Sequence, residues 1–195
     1  MTLPPPRSDR PRRVGGDEGR PEVFVADEQK DVPVDLARWS ALAEAALHDE
    51  GVRGAAELSV LFVDETSIAE LNERFMEHAG PTDVLAFPID ADAVWAVHDP
   101  LASGPDRAEP DLDEIPLLLG DVVVCPAVAA RNAPDHAGTI DDELALLVVH
   151  GVLHVLGYDH AEPDEAASMR ARELALLEAH HWGGPVPAGF RQEQS

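Results

Sequence analysis

The chain has 195 residues, 45% of them hydrophobic, and a net charge of −24 with a single lysine, Lys30. That length and apolar content suit one domain with a sizeable core, and no run of about 18 apolar residues exists to span a membrane. The one cysteine, Cys125, excludes an intrachain disulfide framework and a cysteine-based zinc knuckle. So acidic a chain is not expected to bind DNA; an RNA substrate would have to be held by a few arginines, backbone amides and a metal ion.

Residues 1–20 are rich in Pro, Arg and Gly, show no periodicity and carry a small positive charge. They read as a disordered tail. They lack the apolar segment of a secretory signal, which makes the cytoplasm the expected compartment. A domain is expected over residues 21–182. Its first strand is Glu22 to Ala26, and a helix follows from Asp35 to His48, with Asp35 as N-cap and Leu36, Trp39, Leu42, Ala43, Ala46 and Leu47 at helical spacing. Glu57 to Val63 alternates as a strand. Asp64 to Ser67 then opens a helix through about Met76, with Ile68, Leu71 and Phe75 on its buried face. Thr82 to Phe87 reads as a strand ended by Pro88.

Residues 88–118 hold eight acids, one base (Arg107) and several prolines, and read as a long acidic loop insertion. Leu117 to Cys125 contains another strand, and Pro126 suits the first turn of a short helix to about Asn132. Thr139 and Asp142 are candidate caps of a helix from about 140 to 156 whose Leu144–Val149 run is apolar on all sides, so it should be buried. A last helix is expected from Pro163 to His181, and residues 183–195 as a loose C-terminal tail. The class is α+β: a single domain with a small mixed sheet covered by helices.

The late buried helix carries His150 and His154, and His160 follows beyond Gly157. Residues four apart lie on one helix face, one turn above the other, so His150 and His154 can reach one ion together. Gly157 can take a positive φ and turn the chain back, which brings His160 round as a third ligand. Three protein ligands with an open fourth position make a catalytic zinc site, whereas a closed structural site uses four. Imidazoles satisfied only by hydrogen bonds are the bland alternative. It fits His48, His78, His98, His136, His180 and His181, but two rings inside an apolar helix would bury nitrogens at about 1–3 kcal/mol each if unpaired. Histidine ligands suit one zinc ion, and also nickel, copper or iron. The spacing is that of the metzincin peptidases, H-E-x-x-H-x-x-G-x-x-H, with Gly151 in place of the glutamate base. That departure removes the peptidase reading. Asp159, beside the third histidine, reads as a turn residue before it reads as a base.

His150-Gly-Val-Leu-His154-Val-Leu-Gly157-Tyr158-Asp159-His160 resembles the signature of the YbeY family of bacterial zinc-dependent endoribonucleases. Pro81-Thr82-Asp83-Val84-Leu85-Ala86-Phe87-Pro88 and Leu119-Gly120-Asp121-Val122-Val123-Val124 resemble that family's two strand motifs, and Met169 sits where its later helix expects it. The resemblance covers about residues 21–180. It implies a metzincin-like zinc helix facing a mixed sheet across a cleft lined by residues 82–87, with His150, His154 and His160 as ligands. It also implies cleavage of single-stranded RNA and rRNA precursors, including the 16S 3′ end, in ribosomal RNA maturation and ribosome quality control. Ribosomal subunits and ribosome-associated proteins are the implied partners. No side chain is assigned to proton transfer; a water activated at the metal is the expected nucleophile. Two departures stand out. Met76 occupies the place of an arginine that many members carry, and Arg74 lies roughly 200° round the helix from it. Ala86 replaces a serine. These departures and the acidity keep a second reading open, a ribosome-assembly factor with a mainly structural zinc.

Overall fold

Five β-branched or aromatic residues between Glu22 and Asp27 and in Ala56–Phe62 set up the first pairing, β1 with β2, in parallel register from Glu22 opposite Glu57 to Asp27 opposite Phe62. In the computed structural model, which describes residues 20–89 and 116–192, the remaining strands are β3 (Val84–Pro88) and β4 (Leu117–Val124). The sheet order is β1-β2-β4-β3. β4 runs parallel to β2, and β3 runs antiparallel to β4, so the sheet is mixed as expected. Gly120 makes the close β3–β4 approach possible. It has φ +147°, and a Cβ there would meet the Phe87 carbonyl oxygen at 2.2 Å.

The helices are α1 (Leu36–Asp49), α2 (Glu65–Met76), α3 (Pro126–Asn132), α4 (Ile140–Val155) and α5 (Pro163–Leu177), the last continuing into a π-helical turn, Glu178–Trp182. Three start where a short polar side chain caps the first turn. Asp35 accepts from the Arg38 amide, Asp64 from that of Ser67 and Thr139 from that of Asp142.

Alternation along β4 divides the core. Val122 and Val124 face α1 and α4 together with Leu58, Val60, Phe62, Trp39 and Leu153. Val123 faces the other way, onto Ile68 of α2, Leu85 and Val128. Helix α4 touches α1, α3, α5, β3 and β4, and eleven of its residues are buried. No helix among the described residues is long and apolar enough to cross a membrane.

The expected tail at residues 1–20 lies outside the described residues except Arg20, as does most of the acidic segment 88–118. Residues 183–192, expected as a loose tail, are held against the body instead. Phe190 meets Trp182 edge-on at 4.8 Å, the Arg191 amide donates to the His136 carbonyl, and the Gln192 amide donates to the Arg170 carbonyl and to Glu173. The adjacent His180 and His181 fit the bland reading. Each pairs with a carboxylate at 2.8 Å, Asp49 and Asp142 respectively, and so they tie the end of the last helix to α1 and α4.

Candidate metal centre

His150 and His154 stand one turn apart near the C-terminal end of α4. Gly157 has φ +85° and ends the helix; its amide donates to the His154 carbonyl, and that of Tyr158 to Leu153. The chain thereby reverses, and Asp159 Oδ1 accepts from the amides of His160 and Ala161. Asp159 is therefore a turn residue, and the His160 and Ala161 amides, against a small opposing effect of burial, hold its carboxyl below the usual carboxylate range. The reversal carries His160 to within 5.8 Å of His150 and 4.9 Å of His154, ring centre to ring centre. One ring nitrogen from each of the three lies within 4.8 Å of the other two.

The far nitrogens of two rings are already committed. His150 Nδ1 donates to Glu173 Oε1 at 2.8 Å, and His154 Nδ1 donates to the Tyr158 carbonyl at 3.0 Å. Both acceptors lack hydrogens to give, so each ring carries its proton on Nδ1. That leaves the Nε2 atoms of the two rings facing each other across 3.1 Å. Two acceptors that close repel unless a cation lies between them. Nitrogen ligands about 2.0–2.1 Å from a tetrahedral zinc stand roughly 3.3 Å apart, so the donor set fits such an ion. Burial, and then the charges of His150 and His160, push His154 down to about 4, so it is neutral at pH 7 and ready to ligate.

The three rings lie between two depressions. On one side is an open groove of about 510 Å³, walled by Val84, Ala86 and Pro88 of β3, by Met76 and by the histidine turn. The strand motif 82–87 thus lies along the groove, as the resemblance implied. On the other side is a smaller cavity of about 240 Å³ toward α5.

Two carboxylates that orient this centre were not singled out from sequence. Glu173 is buried on α5 among Ala166, Met169, Leu176 and Leu177. An acid at a core-facing position of an amphipathic helix was the available signal. Glu50, buried just after α1, accepts from the Tyr158 hydroxyl at 2.7 Å and from the Arg172 guanidinium. It thereby anchors the residue whose carbonyl holds His154. Nothing local marks it, because its partners lie more than a hundred residues downstream. Glu50→Ala should lower stability by roughly 1–3 kcal/mol through the stranded hydroxyl and guanidinium, and weaken metal retention with it. Chemical denaturation and metal titration check this; unchanged values in both would remove the anchoring role.

Comparison with known proteins follows the same lines. A family model described as Endoribonuclease YbeY matches residues 24–181. A relative of that name from Salinispora tropica is 51% identical over 144 residues, covering 74% of this chain and 87% of its own. Another from Acidothermus cellulolyticus is 46% identical over 157 residues, covering 80% and 90%. The solution structure of TM1509 from Thermotoga maritima superposes with a TM-score of 0.52 at 27% identity, covering 83% of this chain and 89% of that one. The matched stretch takes in the sheet from Phe24 onward, the groove-lining strand, α4 and all three histidines, and on that basis the chain belongs to the endoribonuclease YbeY family.

Proposed function

We propose that this protein is a zinc-dependent endoribonuclease that cuts single-stranded RNA. We place it in the cytoplasm, acting on ribosomal RNA precursors, the 16S 3′ end among them, in ribosome maturation and quality control, with ribosomal subunits and their associated proteins as partners. The observation that carries the reading is a cage of three imidazoles opening on a groove. Among the described residues the cluster has three members, which leaves a ligand position free for substrate or water.

His150, His154 and His160 would hold the ion, with Glu173 and the Tyr158 carbonyl fixing the first two rings. A zinc ion supplies a Lewis acid for a phosphoryl oxygen and lowers the pKa of water to about 7. The protein's own part is placement. Val84, Ala86 and Pro88 form a mainly apolar wall that admits a flexible strand beside the histidines. A duplex, whose phosphates are held in regular geometry, fits such a groove less well.

The second reading, an assembly factor with a structural zinc, is favoured by the groove's lining. None of its described lining residues is Lys or Arg, and Met76 stands there 39% exposed. One experiment separates the two. Protein purified without added metal is assayed for metal content and for cleavage of an unstructured RNA, as isolated, after chelation, and after zinc is returned. Cleavage that disappears with the metal and returns with zinc supports the nuclease. Equal cleavage throughout, or none at any stage, removes it. A 2′,3′-cyclic phosphate on the products would assign the attack to the 2′-hydroxyl rather than to water.

A further inference from the structure

The cavity on the α5 side of the histidines has no role in the account so far. Ala166, Arg170 and Glu173 lie at successive turns of α5, on one face, and that face lines the cavity with His150 and His160. Its carboxylates already have donors. Glu173 accepts from His150 and Gln192, Glu143 from His136 and the Ala137 amide, and Asp83 from Asn132 and the Val84 amide. The Arg170 guanidinium is the exception: among the described residues no hydrogen-bond or ion-pair partner meets it, in a chain where acids outnumber basic residues 38 to 14.

Arg170 is also anchored through its main chain. It is half-buried, and the Gln192 amide holds its main-chain carbonyl at 3.0 Å while bonding Glu173 with the same nitrogen. A guanidinium offers five N–H donors in a fixed fork, stays charged at any physiological pH and matches the oxygens of a phosphate. Across the histidines, the groove offers no described Lys or Arg, and Arg74 is stacked on Phe75 at 5.1 Å.

We propose that Arg170 grips a backbone phosphate of the RNA, next to the phosphate presented to the three histidines. The strand would then run from the groove across the histidines into the α5 cavity. This rests on the RNA-cleaving reading above, and it gives that reading the cation that Met76 does not provide.

The test uses zinc-loaded full-length wild type, Arg170→Gln, Arg170→Lys and, as a control with the same charge change, Lys30→Gln. Lys30 is exposed after β1, at the sheet edge opposite β3. Binding of an unstructured RNA is measured over a range of salt concentrations, with cleavage, metal content and melting temperature alongside. Arg170→Gln should bind roughly tenfold more weakly. Its salt dependence should fall by about 0.7 in log–log slope, the loss of one single-strand phosphate contact. Arg170→Lys should restore the slope but only part of the affinity, and Lys30→Gln should match wild type. If Arg170→Gln keeps the wild-type affinity and slope while wild type cleaves RNA, the phosphate role is wrong and the nuclease stands. If it loses metal or melts lower with an unchanged slope, Arg170 is structural and the proposal fails. If wild type neither binds nor cuts RNA, both readings fall together.

Discussion

His154→Ala should leave the protein folded but unable to retain one metal per chain, with RNA cleavage lost. Two features make this the sharpest single change. The ring lies between the other two, with its centre 4.5 Å from that of His150 and 4.9 Å from that of His160, so its removal leaves two donors that no longer enclose a site. Alanine is also the best helix former, so α4 itself is not weakened by propensity. The comparison that gives the result meaning is Glu173→Gln. There the ligands remain, but the carboxylate that takes the His150 proton becomes an amide, and its NH₂ would confront either His150 Nδ1–H or the Gln192 amide that now donates to Oε2 at 2.6 Å. Loss of such an orienting partner typically lowers metal affinity or activity 10–100-fold. Metal analysis and zinc titration should therefore rank the proteins wild type, Glu173→Gln, His154→Ala. A His154→Ala protein that keeps both metal and activity would mean that the centre lies elsewhere.

Gly151→Glu, the change that would write the peptidase base into this segment, should unfold the protein. Gly151 is buried where α4 lies on β4. A Cβ there would stand 2.4 Å from Val122 Cγ1 and 3.0 Å from its Cγ2, far inside contact distance. Val122 is fully buried, and a β-branched side chain is stiff at χ1. Even Gly151→Ala, which gains up to about 1 kcal/mol in helix propensity, should lose about 1–3 kcal/mol by overpacking. The glutamate adds a carboxylate buried without a partner, worth several kcal/mol more. Denaturation curves of Gly151→Ala alone and with Val122→Ala test the mechanism. The second change should recover part of the loss, and a double variant no better than the sum of its parts would place the strain elsewhere. The absence of the peptidase glutamate is thus a packing requirement as well as a missing base.

Much of the fold was legible because it is written locally. Caps at Asp35, Asp64 and Thr139, Pro126 at the start of α3, and the apolar run of α4 each act within a few residues of themselves. The clustering of the three histidines was legible for the same reason, since helix pitch and one glycine bring their rings together. What orients the centre was not. Glu50, Glu173 and Gln192 reach it from three separate segments, and their roles arise only when α1, α5 and the chain beyond Trp182 pack around α4. The expected helix to His181 runs past the last apolar position, Leu177, and from Glu178 the structure opens into a π-turn, beside the pairing of His180 and His181 with acids. Residues 183–192 are rich in glycine and proline and show no helical or strand period, so sequence alone gives no sign that they are held. Their anchoring depends on Phe190 and Gln192, two isolated side chains with no pattern around them.

The bond from His150 to Glu173 spans 23 residues of sequence, and Gln192 follows later still. A ribosome makes the chain from its N-terminus at about 5–20 residues per second, so the histidines emerge before the carboxylate that aligns them. A nascent chain would pass through an interval in which the three histidines exist but His150 is not yet oriented, and the last contact to form sets the moment at which the cluster becomes complete.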